Sequence, residues 1–259
     1  MKNVIILILT LFIIAGCATH NEIYRQKTQD KFEIPPLPKW IYNTPESFVV
    51  GISQKSMNEA EMYEAAKQMA AVMKSRNQAS YTIEKYAVTS SDNILKSNAS
   101  KFKLNVSSSP ETTERIYNSL ILVDSVEVLG YFFGLFSTIN KKVGTPFNKA
   151  NIQRIPEYFE KNKLEILDNT INCYKTKSSS SLVLAWENAA EEATFEIAKY
   201  FEKIIQSAII NTDEITEKKI VLETSEKLSM MKLKASYITT ELKDNLRTFK
   251  VYHEMEINK

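Results

Sequence analysis

The hydrophobic pattern divides the chain into an apolar start, a polar tether and two longer segments with strand and helix periods. Residues 4–14 are almost entirely apolar and follow one basic residue, Lys2. This run is shorter than the roughly 20 residues that a helix needs to cross a bilayer. It is typical of a secretory signal peptide. We therefore predict that residues 1–16 are a removable signal and that residues 17–34 form a tether.

The first longer segment, residues 35–140, predicts one helix among short strands. Residues 48–52 form a β-type run, and Ser56 with Glu59 has the spacing of a capping box, which predicts a helix start near residue 57. We expect this helix to extend toward residues 86–88. Its predicted core stripe has helical spacing: Met62, Ala66, Met69 and Met73.

The rest of this segment predicts a β-hairpin after a polar stretch. Residues 89–112 are rich in Ser, Asn and Thr, and favour a loop with a weak strand near 102–106. Two strand patterns, residues 119–127 and 131–139, flank Gly130, which marks the turn.

The second segment, residues 155–259, repeats the same order. A strand is predicted at 171–174, and a helix follows the cap region 178–181. A further helix near 217–231 precedes two strands, at 234–241 and 247–257, with a turn at 243–245 between them. The core stripe predicted for the long helix is Trp186, Ala190, Ala193, Ile197, Phe201, Ile204 and Ala208.

The repeated order predicts the fold class. Each half has a strand, a long helix, an irregular or helical stretch and a β-hairpin, so an internal duplication explains the pattern. The expected fold is α+β, with two similar modules that each pack a long amphipathic helix on a small antiparallel sheet. The alternative, that two unrelated α+β segments share a similar order, stays open at this stage.

Composition narrows the possible chemistry. The chain has 33 Lys and Arg against 31 Asp and Glu, which argues against a polybasic nucleic-acid-binding protein. Five glycines in 259 residues argue against a phosphate-binding loop, and two Cys with two His argue against a metal site rich in those ligands. We therefore expect no cofactor, no metal and no nucleic-acid partner.

The signal segment ends in Ile14-Ala15-Gly16-Cys17, which resembles a bacterial lipobox. The resemblance implies cleavage before Cys17, a thioether-linked lipid there and an added N-acyl chain such as palmitate. Two or three acyl chains give stable anchoring, whereas one is marginal. Ala18 resembles the pattern of lipoproteins that are exported to the outer membrane, so a lipid-anchored protein is expected there, facing the periplasm or the surface.

After the lipobox come the tether, Pro38 and Trp40, a strand run that ends at Gly51 and Ile52, and an Ala-rich amphipathic helix. This order resembles the Lpp-twenty lipoprotein family, first known from Helicobacter. The second segment matches it less well, because Tyr158 stands in place of the Trp and Lys175 near the Gly position. The resemblance implies an outer-membrane-associated protein that is not an enzyme, and some relatives form rings or disks around the flagellar motor. The residues that carry it, within 17–140, are Cys17, Pro38, Trp40, Gly51, Ile52, Ala66 and Ala70.

The two histidines and the free cysteine of the mature chain, Cys173, are far apart in the sequence. His20 lies in the tether, and His253 lies on the apolar face of an alternating strand, where a structural role is expected. Cys173 lacks a His at a supporting spacing and is expected to be a buried structural thiol. Glu191 and Glu192 are helix neighbours that point in different directions, so we expect them to be solvated.

The most apolar part of the mature chain is residues 131–136. With period 2, both faces of this strand are apolar, which a hairpin with one solvated face does not require. A buried strand is one interpretation. The other is that one face packs on the helix while the other meets the second module or another subunit, with Phe132 and Phe136 as the candidate interaction surface.

These features favour a lipid-anchored envelope protein with a structural or protein-interaction role, whose partner is another protein or copies of itself. An outer-membrane or flagellar-motor assembly is one such setting. The alternative is a periplasmic binding module that regulates an envelope enzyme, and a hydrolase is a third hypothesis without a supporting constellation.

Overall fold

Strands and helices alternate along the described chain in an α+β arrangement. The computed structural model describes residues 36–56, 58–76, 80–88, 97–105, 109–139, 149–150, 155–208, 214–243 and 246–258. The elements in order are β1 Leu37–Pro38, α1 Lys39–Tyr42, β2 Phe48–Gln54, α2 Glu59–Arg76, β3 Ser80–Val88, β4 Ser97–Asn105, α3 Pro110–Ser119, β5 Ile121–Val128, β6 Tyr131–Ser137, β7 Lys149–Ala150, a 3-10 helix Glu157–Lys161, β8 Leu164–Ile166, β9 Thr170–Ser179, α4 Leu182–Ala208, α5 Glu214–Ser229, β10 Lys232–Lys243 and β11 Leu246–Asn258.

Two antiparallel sheets organise these elements. The first has the order β2-β6-β5 and the second β10-β11-β9-β8, while β1 with β7 and β3 with β4 form separate two-stranded pairs. In each sheet the strand before the long helix pairs with the last strand of a later hairpin, β2 with β6 and β9 with β11. The α+β fold with helices packed on small antiparallel sheets is therefore confirmed. We call the first sheet with α2 and α3 the first module, and the second sheet with α4 and α5 the second module.

The hairpin of the first module forms where the alternation predicts it. β5 pairs with β6 through a two-residue turn at Leu129 and Gly130, whose φ angles are 55° and 79°. Two positive φ angles define the type I′ turn, whose twist matches that of the strands.

The start and end of α2 differ from the expectation. Asn58 accepts the N–H of Ala60 through Oδ1, while Ser56 donates to Glu61, so Asn58 and not Ser56 caps the helix. The predicted extension to residues 86–88 was wrong, because the helix ends at Arg76 and residues 80–88 pair with β4. The predicted stripe on α2 is buried throughout.

The last turns of α4 also differ from the predicted stripe. Ile205 is fully buried, whereas Ile204 is 44% exposed, so the apolar face continues from Phe201 at a spacing of four residues and not three. Ala208 is exposed as well. The earlier stripe residues of α4 are buried as predicted.

The first half of α4 lies between the two sheets. Trp186 is fully buried, and its ring is 6.3 Å from that of Phe133 in the first sheet and 4.3 Å from that of His253 in the second. Small residues on α4 allow this close packing, including Ala185 and Ala189, both fully buried. One hydrophobic core therefore runs through both modules.

Candidate functional site at the interface of the two modules

The lipidation site and the tether histidine lie outside the described residues. Cys17 and His20 precede residue 36, so the lipid anchor stays a prediction. Among the described residues, no helix is both long and apolar enough to cross a membrane.

Trp40 and Gly51, two residues of the family resemblance, have packing roles. Trp40 is fully buried in α1, and its Nε1–H donates to Asp124 Oδ2 at 2.8 Å. Gly51 lies in β2 directly beneath α2, where an added Cβ would stand 1.9 Å from the backbone oxygen of Ala66. Only a residue without a side chain allows the helix to approach this closely. Pro38 pairs with Lys149 in the short ribbon of β1 and β7.

In the second module, Phe159, three residues after Pro156, is fully buried, whereas Tyr158 is 36% exposed. Phe159 belongs to an aromatic cluster on the face of the second sheet opposite α4, together with Tyr174 and Tyr252. The position that the sequence matched to Trp40, Tyr158, thus lies at the edge of this cluster.

The candidate interaction surface is not exposed at Phe136. Phe136 is fully buried against Ala66 and Ala70 of α2, and Phe132 is half-buried against the same cluster. The opposite face of β6, which includes Tyr131, Phe133 and Leu135, meets the second module. Both faces of the strand are therefore covered, but the pair proposed as the surface is on the helix-facing side.

His253 is buried and hydrogen-bonded on both ring nitrogens. Nε2 lies 3.1 Å from the backbone oxygen of Trp186, and Nδ1 lies 2.9 Å from Ser236 Oγ. A carbonyl oxygen only accepts, so Nε2 carries the proton and Nδ1 accepts from the serine hydroxyl. Burial lowers the pKa of His253 to about 3, against the weaker opposing effect of its backbone hydrogen bonds. The imidazole is a neutral structural bridge between β11, β10 and α4.

Cys173 lies between the second sheet and α4 and is fully buried. Burial raises the pKa of its thiol to about 12, which keeps the sulfur protonated and unreactive at neutral pH. Two residues away, the Lys175 side chain is only 8% exposed, and its Nζ is 3.9 Å from the carboxylates of both Glu192 and Glu196. This cluster of a buried lysine and two partly exposed carboxylates was not predicted.

The adjacent carboxylates on α4 are partly solvated and also form ion pairs, since the Glu191 side chain is 59% exposed and the Glu192 side chain 33%. Glu191 contacts Arg76 of α2 at 3.3 Å, and the same guanidinium contacts Glu187 at 3.2 Å. Glu192 turns to the lysines of β9, including Lys177. The helix therefore contacts the first module through Glu187 and Glu191, and its own sheet through Glu192.

Further contacts join the modules at the N-terminus of α4 and at α1. The Tyr131 hydroxyl of β6 accepts the N–H of Leu182 at 3.2 Å, so a first-module side chain caps the second-module helix. The Thr44 N–H donates to the backbone oxygen of Lys234 at 3.1 Å. Together with the shared core, these bonds fix the relative position of the two modules.

A cavity of about 380 Å³ opens at this interface, lined by residues of β2, α2, α4, β10 and β11. It was not predicted, because its walls come from elements that are far apart in sequence. Within the described ranges, no group of three or more His, Cys, Asp or Glu side chains is arranged to hold a metal ion.

Comparisons of the chain with protein-family models, with curated proteins and with solved structures each found no match. The resemblance to the Lpp-twenty family therefore stays a prediction that depends on the short motif at the start of the chain.

Proposed function

We propose that this chain is a lipid-anchored bacterial envelope lipoprotein with a non-enzymatic role. It presents a rigid body of two modules to a protein partner or to copies of itself. Cys17 carries the lipid, and the tether of residues 17–34 separates the body from the membrane. The outer membrane is the proposed site, and an envelope or flagellar-motor assembly is the proposed setting.

The single observation that supports this role best is the shared core around Trp186. A helix of one module is buried against the sheet of the other, and its N-terminus is capped by Tyr131 of that other module. Two modules joined in this way move as one unit, because separating them would expose a large apolar surface. Such rigidity suits a scaffold better than a hinge.

The anchor is tested by replacing Cys17 with Ala in the full chain, expressed in a Gram-negative bacterium. The wild-type protein should fractionate with membranes, and its N-terminal peptide should carry the mass of the attached acyl chains. The variant should lose both properties, and the matched control Cys173→Ala should keep both. A Cys17→Ala variant that still carries acyl chains would refute the proposal.

The interaction role is tested by the size of the lipidated protein extracted from cross-linked envelopes. A homo-oligomer or a stable complex with another structural protein supports the proposal. A monomer that co-purifies with one envelope enzyme supports the alternative of a regulatory module. An uncomplexed monomer with hydrolytic activity of its own would contradict both.

A further inference from the structure

The cavity between the two modules has the size of a ligand site. Its volume of about 380 Å³ lies within the range of roughly 300–1,000 Å³ that is usual for small-molecule pockets. The first module contributes Phe48, Val49 and the end of α2, and the second contributes Ala190 and Thr194 of α4. The side chains of its walls therefore decide which ligand fits.

Four methionines line the cavity. Met73, Met231 and Met255 are buried, and Met230 is 64% exposed at the turn that follows α5. Methionine side chains are unbranched and polarizable, so they rearrange around apolar ligands of different lengths. This wall suits a flexible alkyl chain better than a rigid ring system.

Two cationic groups of α2 reach the same cavity. The Arg76 side chain is 14% exposed; its Nη2 contacts Glu187 and Glu191, but Nη1 is buried without a hydrogen-bond acceptor. Lys74 is half-buried, and burial alone lowers its pKa, with no contribution from a carboxylate. Lys74 therefore offers an anionic ligand an ammonium without a carboxylate partner, whereas Arg76 Nη1 has almost no accessible surface.

The other charges of the cavity are already paired. Lys232 Nζ lies 3.2 Å from Glu46 and 3.4 Å from Glu256, and Glu256 also accepts from Lys234. Both lining carboxylates thus have lysine partners. Arg76 is likewise paired, with Glu187 and Glu191, so Lys74 is the cation of the described cavity wall without a carboxylate partner.

We propose that this cavity binds a small amphiphile with one anionic head group and an unbranched alkyl chain. The carboxylate or phosphate monoester head pairs with Lys74 Nζ, and the alkyl chain lies along the methionines. The inference is independent of the proposed function, since it requires neither the lipid anchor nor a protein partner.

The site is tested by photo-crosslinking on the full chain in lipid nanodiscs. The probe is decanoate that carries a terminal diazirine, and mass spectrometry locates the adducts. We expect adducts on the cavity peptides, including those with Met230 and Met255. The Lys74→Gln variant should reduce the adduct yield on the order of ten-fold, because a charge-assisted hydrogen bond is lost. The control Lys67→Gln changes a lysine of the same helix that stacks over Tyr117 instead, and should leave the yield unchanged.

Competition identifies the head group. Decanoate represents a free fatty acid and decyl phosphate a lipid-derived phosphate monoester; the one that displaces the probe at the lower concentration identifies the source. Decanol and decyltrimethylammonium should compete at least about ten-fold less well. Thr194→Leu, which fills the cavity from α4, should abolish labelling. Equal competition by the cationic amphiphile, or labelling unaffected by both Lys74→Gln and Thr194→Leu, would overturn the proposal.

Discussion

Replacing His253 with Gln should remove a defined part of the pH dependence of folding. In the folded protein the imidazole is fully buried and bridges Trp186 and Ser236 in its neutral form. Its cross-strand neighbour on β9 is Lys175, whose ammonium lies 3.9 Å from the carboxylates of Glu192 and Glu196. Burial lowers the pKa of His253 from 6.5 to about 3. The unfolded chain has no such constraint and titrates near 6.5.

The sign follows from proton binding. Between pH 6.5 and pH 3 the unfolded state holds one proton more than the folded state at this residue, so acid favours unfolding. Stability from this source is complete above pH 6.5 and falls by about 1.4 kcal/mol for each pH unit below it. From pH 7 to pH 5, His253 should therefore account for a loss of about 2 kcal/mol.

The measurement is urea unfolding of wild type and His253→Gln at pH 7.0 and pH 5.0. Tryptophan fluorescence reports on the region directly, because the Trp186 ring lies 4.3 Å from the imidazole. Each protein gives a loss of unfolding free energy between the two pH values. Contributions from carboxylates and from His20 are common to both proteins and cancel in the difference.

We expect wild type to lose about 2 kcal/mol more than the variant over this interval. The intrinsic cost of the substitution at pH 7 does not enter, since only the two pH-dependent losses are compared. Equal losses, within about 0.5 kcal/mol, would refute the buried neutral imidazole. A changed dependence on urea concentration would instead indicate an altered unfolded state, so the slopes must agree as well.

Three further predictions concern packing. Gly51→Ala should lower the free energy of unfolding by about 3 kcal/mol or more in urea titrations, because its Cβ meets the backbone of α2. The control Gly130→Ala should cost only about 1–2 kcal/mol through its positive φ. Equal costs would contradict the close approach of α2 to β2. Cys173, with its buried thiol and a pKa raised to about 12, should react with maleimide only after unfolding, and rapid labelling of the native protein at pH 8 would contradict the burial. Trp40→Phe should cost about 2 kcal/mol more than the lost packing, because the hydrogen bond from its Nε1 to a carboxylate disappears. Trp186→Phe should cost the lost packing alone, since its Nε1 has no partner. Calorimetry of both variants measures the two costs, and equal costs would contradict the distinction.

The period of hydrophobic residues predicted the local elements correctly where a side chain's environment depends on its sequence neighbours. The hairpin around Gly130 and the alternation of the last strand follow from period 2, and the strand indeed places Val251 and Met255 in the core. The end of α2 did not follow in the same way, because residues 80–88 become a strand through pairing with residues 97–105. No local pattern encodes that partner.

The helix α3, Pro110–Ser119, was not predicted, although the sequence contains a capping signal for it. Ser109 accepts the N–H of Thr112, and Pro110 occupies the first helical position, which is the usual preference for a helix start. Surrounding Ser and Thr residues obscured it. The capping box at Ser56 misled for a related reason, since Asn58, two residues later, also offers a capping oxygen.

The sequence could not predict which residues meet at the candidate site, because they are distant along the chain. The paired α4 carboxylates, the Arg76 guanidinium and the cavity methionines become neighbours only when the two modules pack together. Their spacing along the chain carries no period. Gly51, by contrast, stands in a recognisable sequence motif, although its close contact with Ala66 arises only when α2 packs on β2.

The position of α4 between the sheets has a consequence for the order in which the chain is made. Synthesis completes β6 at Ser137 well before it reaches Leu182, the first residue of α4. During that interval Phe133 and Leu135 lack the cover that Trp186 later supplies. The growing chain thus carries an apolar sheet face that favours aggregation or binding by a holding chaperone. A product truncated before Leu182 should keep that face exposed permanently.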